Sequence, residues 1–196
     1  MIKKAFFLLA VFFSIQVLSS CIFCNCPETK TFEIGYTGVT VKAYDTSGFY
    51  DVEAEDTVYK NAFGIDVLAS SIITEVLEVN TPINLFGFKT LMACSCDGDT
   101  YIHTDTISTI DIFMIDIETE EKRNVTDYFG IERYYVGEFI RVKKYFEERI
   151  NDADDAFRFQ LMSFENIPNS VNFVVDVYFK SGVMYTTETG QINFHD

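Results

Sequence analysis

The chain has 196 residues, and its 30 acidic against 15 basic side chains give a formal net charge of −15. That balance argues against nucleic acid as a partner and against electrostatic attraction to an anionic lipid surface. With 48% hydrophobic and 16% aromatic residues, including 20 Phe and 11 Tyr, the composition excludes a disordered chain and suits one domain with a sizeable core.

Taken in order, Met1-Ile2-Lys3-Lys4 precedes an apolar run from Ala5 to Val17, "AFFLLAVFFSIQV". A short cationic stretch followed by an apolar core is the pattern of a secretory signal, here assigned to residues 1–20. The run is too short for a permanent span, which needs about 20 apolar residues. The segment closes with Leu18-Ser19-Ser20-Cys21, an aliphatic residue, two small residues and a cysteine. This resembles the lipobox of bacterial lipoproteins. The resemblance implies that Cys21 receives a diacylglycerol thioether and becomes the first residue after cleavage. Residues 21–30 then form a lipidated tether and residues 31–196 a single β-rich domain. Acyl chains bind membranes at about 0.8 kcal/mol per buried methylene, so two or three long chains anchor a protein durably.

Two C-x-C pairs remain, Cys24 with Cys26 and Cys94 with Cys96. Three readings stay open for them. In an oxidising compartment they form structural disulfides, and a bridge between the pairs would close a loop of about 70 residues, stabilising by roughly 4 kcal/mol on the chain-entropy model. Alternatively they stay free thiols, or they hold Zn²⁺ or Cu⁺ as thiolates, with His103 close in sequence.

Further along, Phe32–Tyr36 and Val39–Tyr44 alternate in hydrophobicity around Gly38, which reads as one strand with a bend. Asp45-Thr46-Ser47-Gly48 is turn chemistry, and the aromatic pair Phe49-Tyr50 follows it. Phe63–Val67 reads as a half-buried strand. Ile72–Val79 is β-branched and reads as a strand, with a short helix as the alternative. Ile107–Ile117 is apolar on both faces and is placed centrally. Tyr135, Phe139, Val142, Phe146 and Ile150 fall on one face of a 3.6-residue period, predicting an amphipathic helix at about 138–150. Lys143–Glu147 and Lys144–Glu148 are its i,i+4 pairs, and Thr126-Asp127 offers an earlier capping position. Ala156–Leu161 alternates. Val171–Phe179 meets Val183–Thr187 through Lys180-Ser181-Gly182, a hairpin signal, and Gln191–Phe194 reads as a last short strand. The fold class predicted is mainly β: an antiparallel β-sandwich, broadly immunoglobulin-like, with one amphipathic helix.

Catalytic chemistry is sparse. Only His103 and His195 are available as histidine bases, no G-x-S-x-G is present, and no cofactor motif stands out. Two acidic loops, around Asp97-Gly98-Asp99 and Asn151-Asp152-Ala153-Asp154-Asp155, hold carboxylates without the spacing of a twelve-residue calcium loop. Asn124-Val125-Thr126 is a glycosylation sequon. Phe49-Tyr50 and Tyr134-Tyr135 are the aromatic pairs to test for exposure.

The lipobox, Ala93-Cys94-Ser95-Cys96 and the β-rich body with its Gly-turn hairpin together resemble uncharacterised small lipoproteins of Bacteroidetes-type bacteria. The resemblance implies attachment to the outer membrane through lipid. Surface-exported lipoproteins of such bacteria carry a lysine and acidic pair after the lipid cysteine, which Ile22-Phe23-Cys24-Asn25-Cys26 does not supply. The periplasmic and the surface face both stay open. The functional expectation is a non-enzymatic envelope protein, without a cofactor, that binds a protein partner or supports an assembly. The alternatives are a glycan-binding accessory lipoprotein and a metal-binding one using the C-x-C pairs.

Overall fold

The computed structural model describes residues 29–54, 57–76, 98–133, 138–149 and 154–195. The strands are β1 (Thr31–Asp45), β2 (Val52–Glu53), β3 (Thr57–Val58), β4 (Phe63–Val76), β5 (Thr100–His103), β6 (Ile107–Asp116), β7 (Lys122–Asn124), β8 (Phe129–Arg133), β9 (Glu138–Arg141), β10 (Ala156–Leu161), β11 (Ser170–Phe179), β12 (Met184–Glu188) and β13 (Ile192–Phe194). Among the described residues one α-helix, α1, spans Val142–Glu148. Among the described residues, one sheet runs β2-β1-β4-β10-β8-β9 with β5 on β1, and the other runs β3-β13-β11-β6-β7 with β12 on β11.

The chain divides into two compact units, Met1–Glu33 with Thr74–Ile102, and Ile34–Ile73 with His103–Asp196. Within the first, Lys30 ties its described segments together. Its ammonium pairs with Glu75 at 2.9 Å, its amide donates to Asp99 Oδ1 at 3.0 Å, and its carbonyl accepts from Thr100 N at 2.8 Å. Phe32 stacks on Tyr101 with centroids 5.3 Å apart.

The second unit is a β-sandwich, mainly β and antiparallel as the strand periodicity predicts. The short β13–β3 pairing is parallel. Alternation places Phe63, Ile65 and Val67 of β4 and Phe157, Phe159 and Leu161 of β10 on one inner face. Opposite them lie Ile110, Ile112 and Met114 of β6 and Phe173, Val175 and Val177 of β11, held by the register Phe173↔Met114, Val175↔Ile112 and Val177↔Ile110. Both strands of that central pair are long and β-branched, which suits a pleated, buried surface. Four rings join the sheets. Phe63 stacks on Phe173 at 5.1 Å, Phe129 meets Phe173 edge-on at 5.5 Å, and Phe194 meets Phe63 edge-on at 5.2 Å. Each such pair contributes about 0.5–1.5 kcal/mol beyond the area it buries.

Two glycines are dictated by geometry. Gly182 has φ of +90° and closes the β11–β12 hairpin, where Phe179 N donates to Val183 O at 2.9 Å. Gly64 lies beneath the Tyr44 ring, which a β-carbon at that position would overlap.

The helix is shorter than the apolar period predicts. Glu138–Arg141 is extended and pairs with β8 in the register Ile131↔Ile140 and Glu132↔Phe139. The β-forming pair Phe139-Ile140 gains a complete ladder there, which a lone helical turn could not match. Val142 is fully buried where the helix begins, and Lys144–Glu148 forms the expected i,i+4 pair at 3.5 Å. Thr126 caps no α-helix. It sits in a 3₁₀ turn, Thr126–Tyr128, with its buried hydroxyl accepting from Ile112 N at 2.8 Å.

Candidate functional site

Among the described residues of the second unit, the most exposed aromatic side chains lie in the loop from β1 to β2. The turn forms because the Asp45 carboxylate accepts from Ser47 N at 2.7 Å and from Ser47 Oγ at 2.9 Å. Such an Asx arrangement reverses the chain without a sheet ladder. Gly48 follows, and the chain then presents Phe49, 92% exposed, and Tyr50, 76% exposed. Their rings stand edge to face, 4.9 Å apart at 87°. Val52, at the start of β2, is exposed beside them.

The base of this loop is clamped. Arg158, pointing outward between the inward Phe157 and Phe159 of β10, reaches Asp66 with Nε and Nη2, both at 2.7 Å. Its Nη1 donates to Asp51 at 2.6 Å, immediately after the aromatic pair. The guanidinium also covers the Tyr44 ring, 4.6 Å from the centroid. Tyr44 Oη donates to Phe159 O at 3.1 Å. On the other flank, Thr46 N donates to Ala62 O at 2.8 Å. The Asp66 hydrogen bonds hold Arg158 firmly charged, and burial raises the Tyr44 hydroxyl well above its ordinary acidity range. The result is a fixed base with two projecting rings. It offers apolar edges and faces flanked by carboxylates.

Several other described residues singled out in the sequence have structural partners. His103 Nδ1 lies 2.9 Å from Tyr36 Oη, and Tyr36 packs on Phe179 at 5.0 Å. Burial, followed by the charge of Asp155, makes the Tyr36 hydroxyl less acidic. His195 lies against Tyr59, centroids 4.5 Å apart. Asp154 accepts from Tyr145 Oη at 3.0 Å, and Tyr145 is pushed up to about 12 by burial and then by that carboxylate. In the sequon, Asn124 Oδ1 accepts from Thr126 N at 3.0 Å, a local turn bond. Among the described residues, no group of three or more His, Cys, Asp or Glu side chains is arranged to hold a metal. No described helix is long and apolar enough to cross a membrane. Cys21, Cys24, Cys26, Cys94, Cys96, Asp97, Tyr134, Tyr135, Asn151 and Asp152 lie outside the described residues.

The aromatic pair Phe49-Tyr50 was legible as a pair following turn chemistry. The clamp was not: Arg158 meets Asp51 and Asp66 across about a hundred residues, and only its outward place between two core phenylalanines hinted at a surface role. In comparisons with protein-family models, curated proteins and solved structures, nothing matches this chain.

Proposed function

We propose that this chain is a lipid-anchored protein of the bacterial envelope whose sandwich binds a protein partner and performs no covalent chemistry. The observation that carries the binding role is the projecting Phe49–Tyr50 pair on its clamped loop. A phenylalanine left in water forgoes about 1.5–3 kcal/mol of burial, and rigid aromatic anchors are the usual centres of binding energy. The edge-to-face angle favours a protein pocket. A pyranose stacks flat on a ring face, and two rings at 87° cannot both underlie one sugar. Anchoring rests on Leu18-Ser19-Ser20-Cys21, with Cys21 as the lipid attachment point. The periplasmic leaflet of the outer membrane fits at least as well as the cell surface.

A photocrosslinking residue at position 49 in the native cell, with the captured protein purified and titrated against the chain, tests the binding role. The double variant F49S/Y50S should weaken that complex by about 100-fold, the loss of one or two anchors. Unchanged affinity would overturn the reading. Glycan binding through one of the two exposed ring faces is the second reading, and an array hit lost in F49S/Y50S would replace the first. Metabolic palmitate labelling tests the anchor: label should enter the chain and be absent from C21S.

A further inference from the structure

The edge of the second sheet at β12 is open among the described residues, and its surroundings specify what would add to it. In the β11–β12 hairpin, Phe179 N donates to Val183 O and Thr189 N donates to Phe173 O, each at 2.9 Å. Hydrogen-bonded pairs alternate along an antiparallel ladder, so Val177–Tyr185 and Val175–Thr187 are the bonded pairs between them. Met184, Thr186 and Glu188 therefore turn their backbone N–H and C=O away from β11, and all three residues are exposed. Natural edges are commonly guarded by lysine, proline or a bulge. Met184-Tyr185-Thr186-Thr187-Glu188 contains no lysine or proline, and its pairing with β11 is unbroken.

Charge lies beside this edge in an ordered row. Thr186 pairs with Asp176, and Asp176 pairs with Asp111 on β6. The three side chains share the outer face of the sheet. Asp176 is only 9% exposed and accepts from Thr186 Oγ1 at 2.7 Å. Two carboxylates directly opposite one another are unfavourable in a sheet. Among the described residues, neither carboxylate has an ion-pair partner. Lys122 on the same face is engaged over the Phe113 ring, 4.3 Å from its centroid. Tyr178, the next outward residue of β11, feels both carboxylates and is made less acidic by burial and then by them.

We propose that the free edge of β12 receives an extended segment of a partner protein as an added strand, with a lysine or arginine opposite Thr186 that answers the Asp176–Asp111 row. A residue opposite Thr186 lies about 10 Å, two strand spacings, from Asp176. An extended basic side chain and the carboxylate together span that gap, and Asp111 adds its field from one strand further. Backbone pairing supplies the general affinity and the basic residue the selectivity. This surface is separate from the Phe49–Tyr50 loop and does not rest on it.

The test uses the full chain in detergent and two fluorescein-labelled peptides of alternating threonine and valine, identical except for a central lysine or glutamate, titrated by anisotropy. The lysine peptide should saturate, and the glutamate twin should bind about tenfold more weakly or worse, the effect of one charge contact. Thr186→Pro removes an outward N–H that β11 does not use and should abolish binding, its fold checked by circular dichroism. Thr186→Lys, a change at an exposed position, fills the row from within the chain and should erase the preference for lysine, as should Asp176→Asn. F49S/Y50S should bind both peptides as the unaltered chain does, which separates failure here from failure of the aromatic loop. No binding of the lysine peptide, equal binding of the two, or a lysine preference that survives Thr186→Lys would overturn the proposal. So would a dimer of the protein alone that dissociates in Thr186→Pro, since that assigns the edge to a second copy.

Discussion

At the scale of single residues, the outer surface of the first sheet is organised around Gly64. The strand pattern Phe63-Gly64-Ile65-Asp66-Val67 was readable from its alternation, yet nothing local said that position 64 must lack a side chain. The constraint comes from Tyr44, whose ring crosses the glycine to place Oη on the Phe159 carbonyl and is itself covered by Arg158. Gly64→Ala should therefore displace the ring and disturb the clamp beneath the Phe49–Tyr50 loop. We expect a loss of about 1–3 kcal/mol, the usual cost of overpacking, read as a lower urea midpoint. Tyr44→Phe should cost only about 1 kcal/mol, one hydrogen bond. A Gly64→Ala protein as stable as Tyr44→Phe would show that the ring yields without strain.

At the scale of elements, legibility followed length and locality. β6 was readable as a run apolar on both faces, β10 from its period-two alternation, and β11 and β12 as two strands joined by a turn that carries its own glycine. The two-residue strands β2 and β3 hold no period at all and exist because β1 and β13 offer them ladders. The amphipathic period around 138–150 was real but ambiguous at its start, and pairing with β8 decided Glu138–Arg141 in favour of strand. The β11–β12 turn also has a distant fastening that its sequence does not announce. Asp105 Oδ1 accepts from Thr106 N at 2.8 Å and from Ser181 N at 3.2 Å, and Oδ2 accepts from Ser181 Oγ. Burial tends to raise this carboxyl, but those hydrogen bonds and the charge of Lys180 outweigh it and lower it below its ordinary value of 3.8. A carboxyl lowered on folding stabilises above its unfolded value, and that contribution disappears as pH falls through the folded one. Asp105→Asn should thus be less stable than the unaltered chain at neutral pH, with the two urea midpoints converging once acid has protonated Asp105. A gap that persists unchanged after pH has fallen through the folded value would assign the loss to shape rather than charge.

At the scale of the molecule, charge and core act in opposite directions. The core is continuous through Phe63, Phe129, Phe173 and Phe194, and truncating such a ring to alanine typically costs about 3–5 kcal/mol. Against it stands a chain with twice as many acidic as basic side chains. Among the described residues its ion pairs are mostly exposed: Lys30–Glu75 and Lys42–Glu53 join side chains 44–65% open to solvent, and pairs of that kind contribute about 0–1 kcal/mol. Salt weakens these attractions and the general repulsion alike. From about 10 mM to about 150 mM salt the screening length falls from about 30 Å to about 8 Å. Contacts near 3 Å lose little over that change, whereas repulsions between carboxylates on different strands and loops, acting over tens of ångströms, are largely removed. The melting temperature should accordingly rise with added NaCl over this range, and rise less in a variant with Asp111 and Asp176 replaced by asparagine, because part of the repulsion is then already gone. A melting temperature that falls with salt would mean that ion pairs, such as the bidentate Arg158–Asp66 contact, outweigh the net charge in holding the sandwich together.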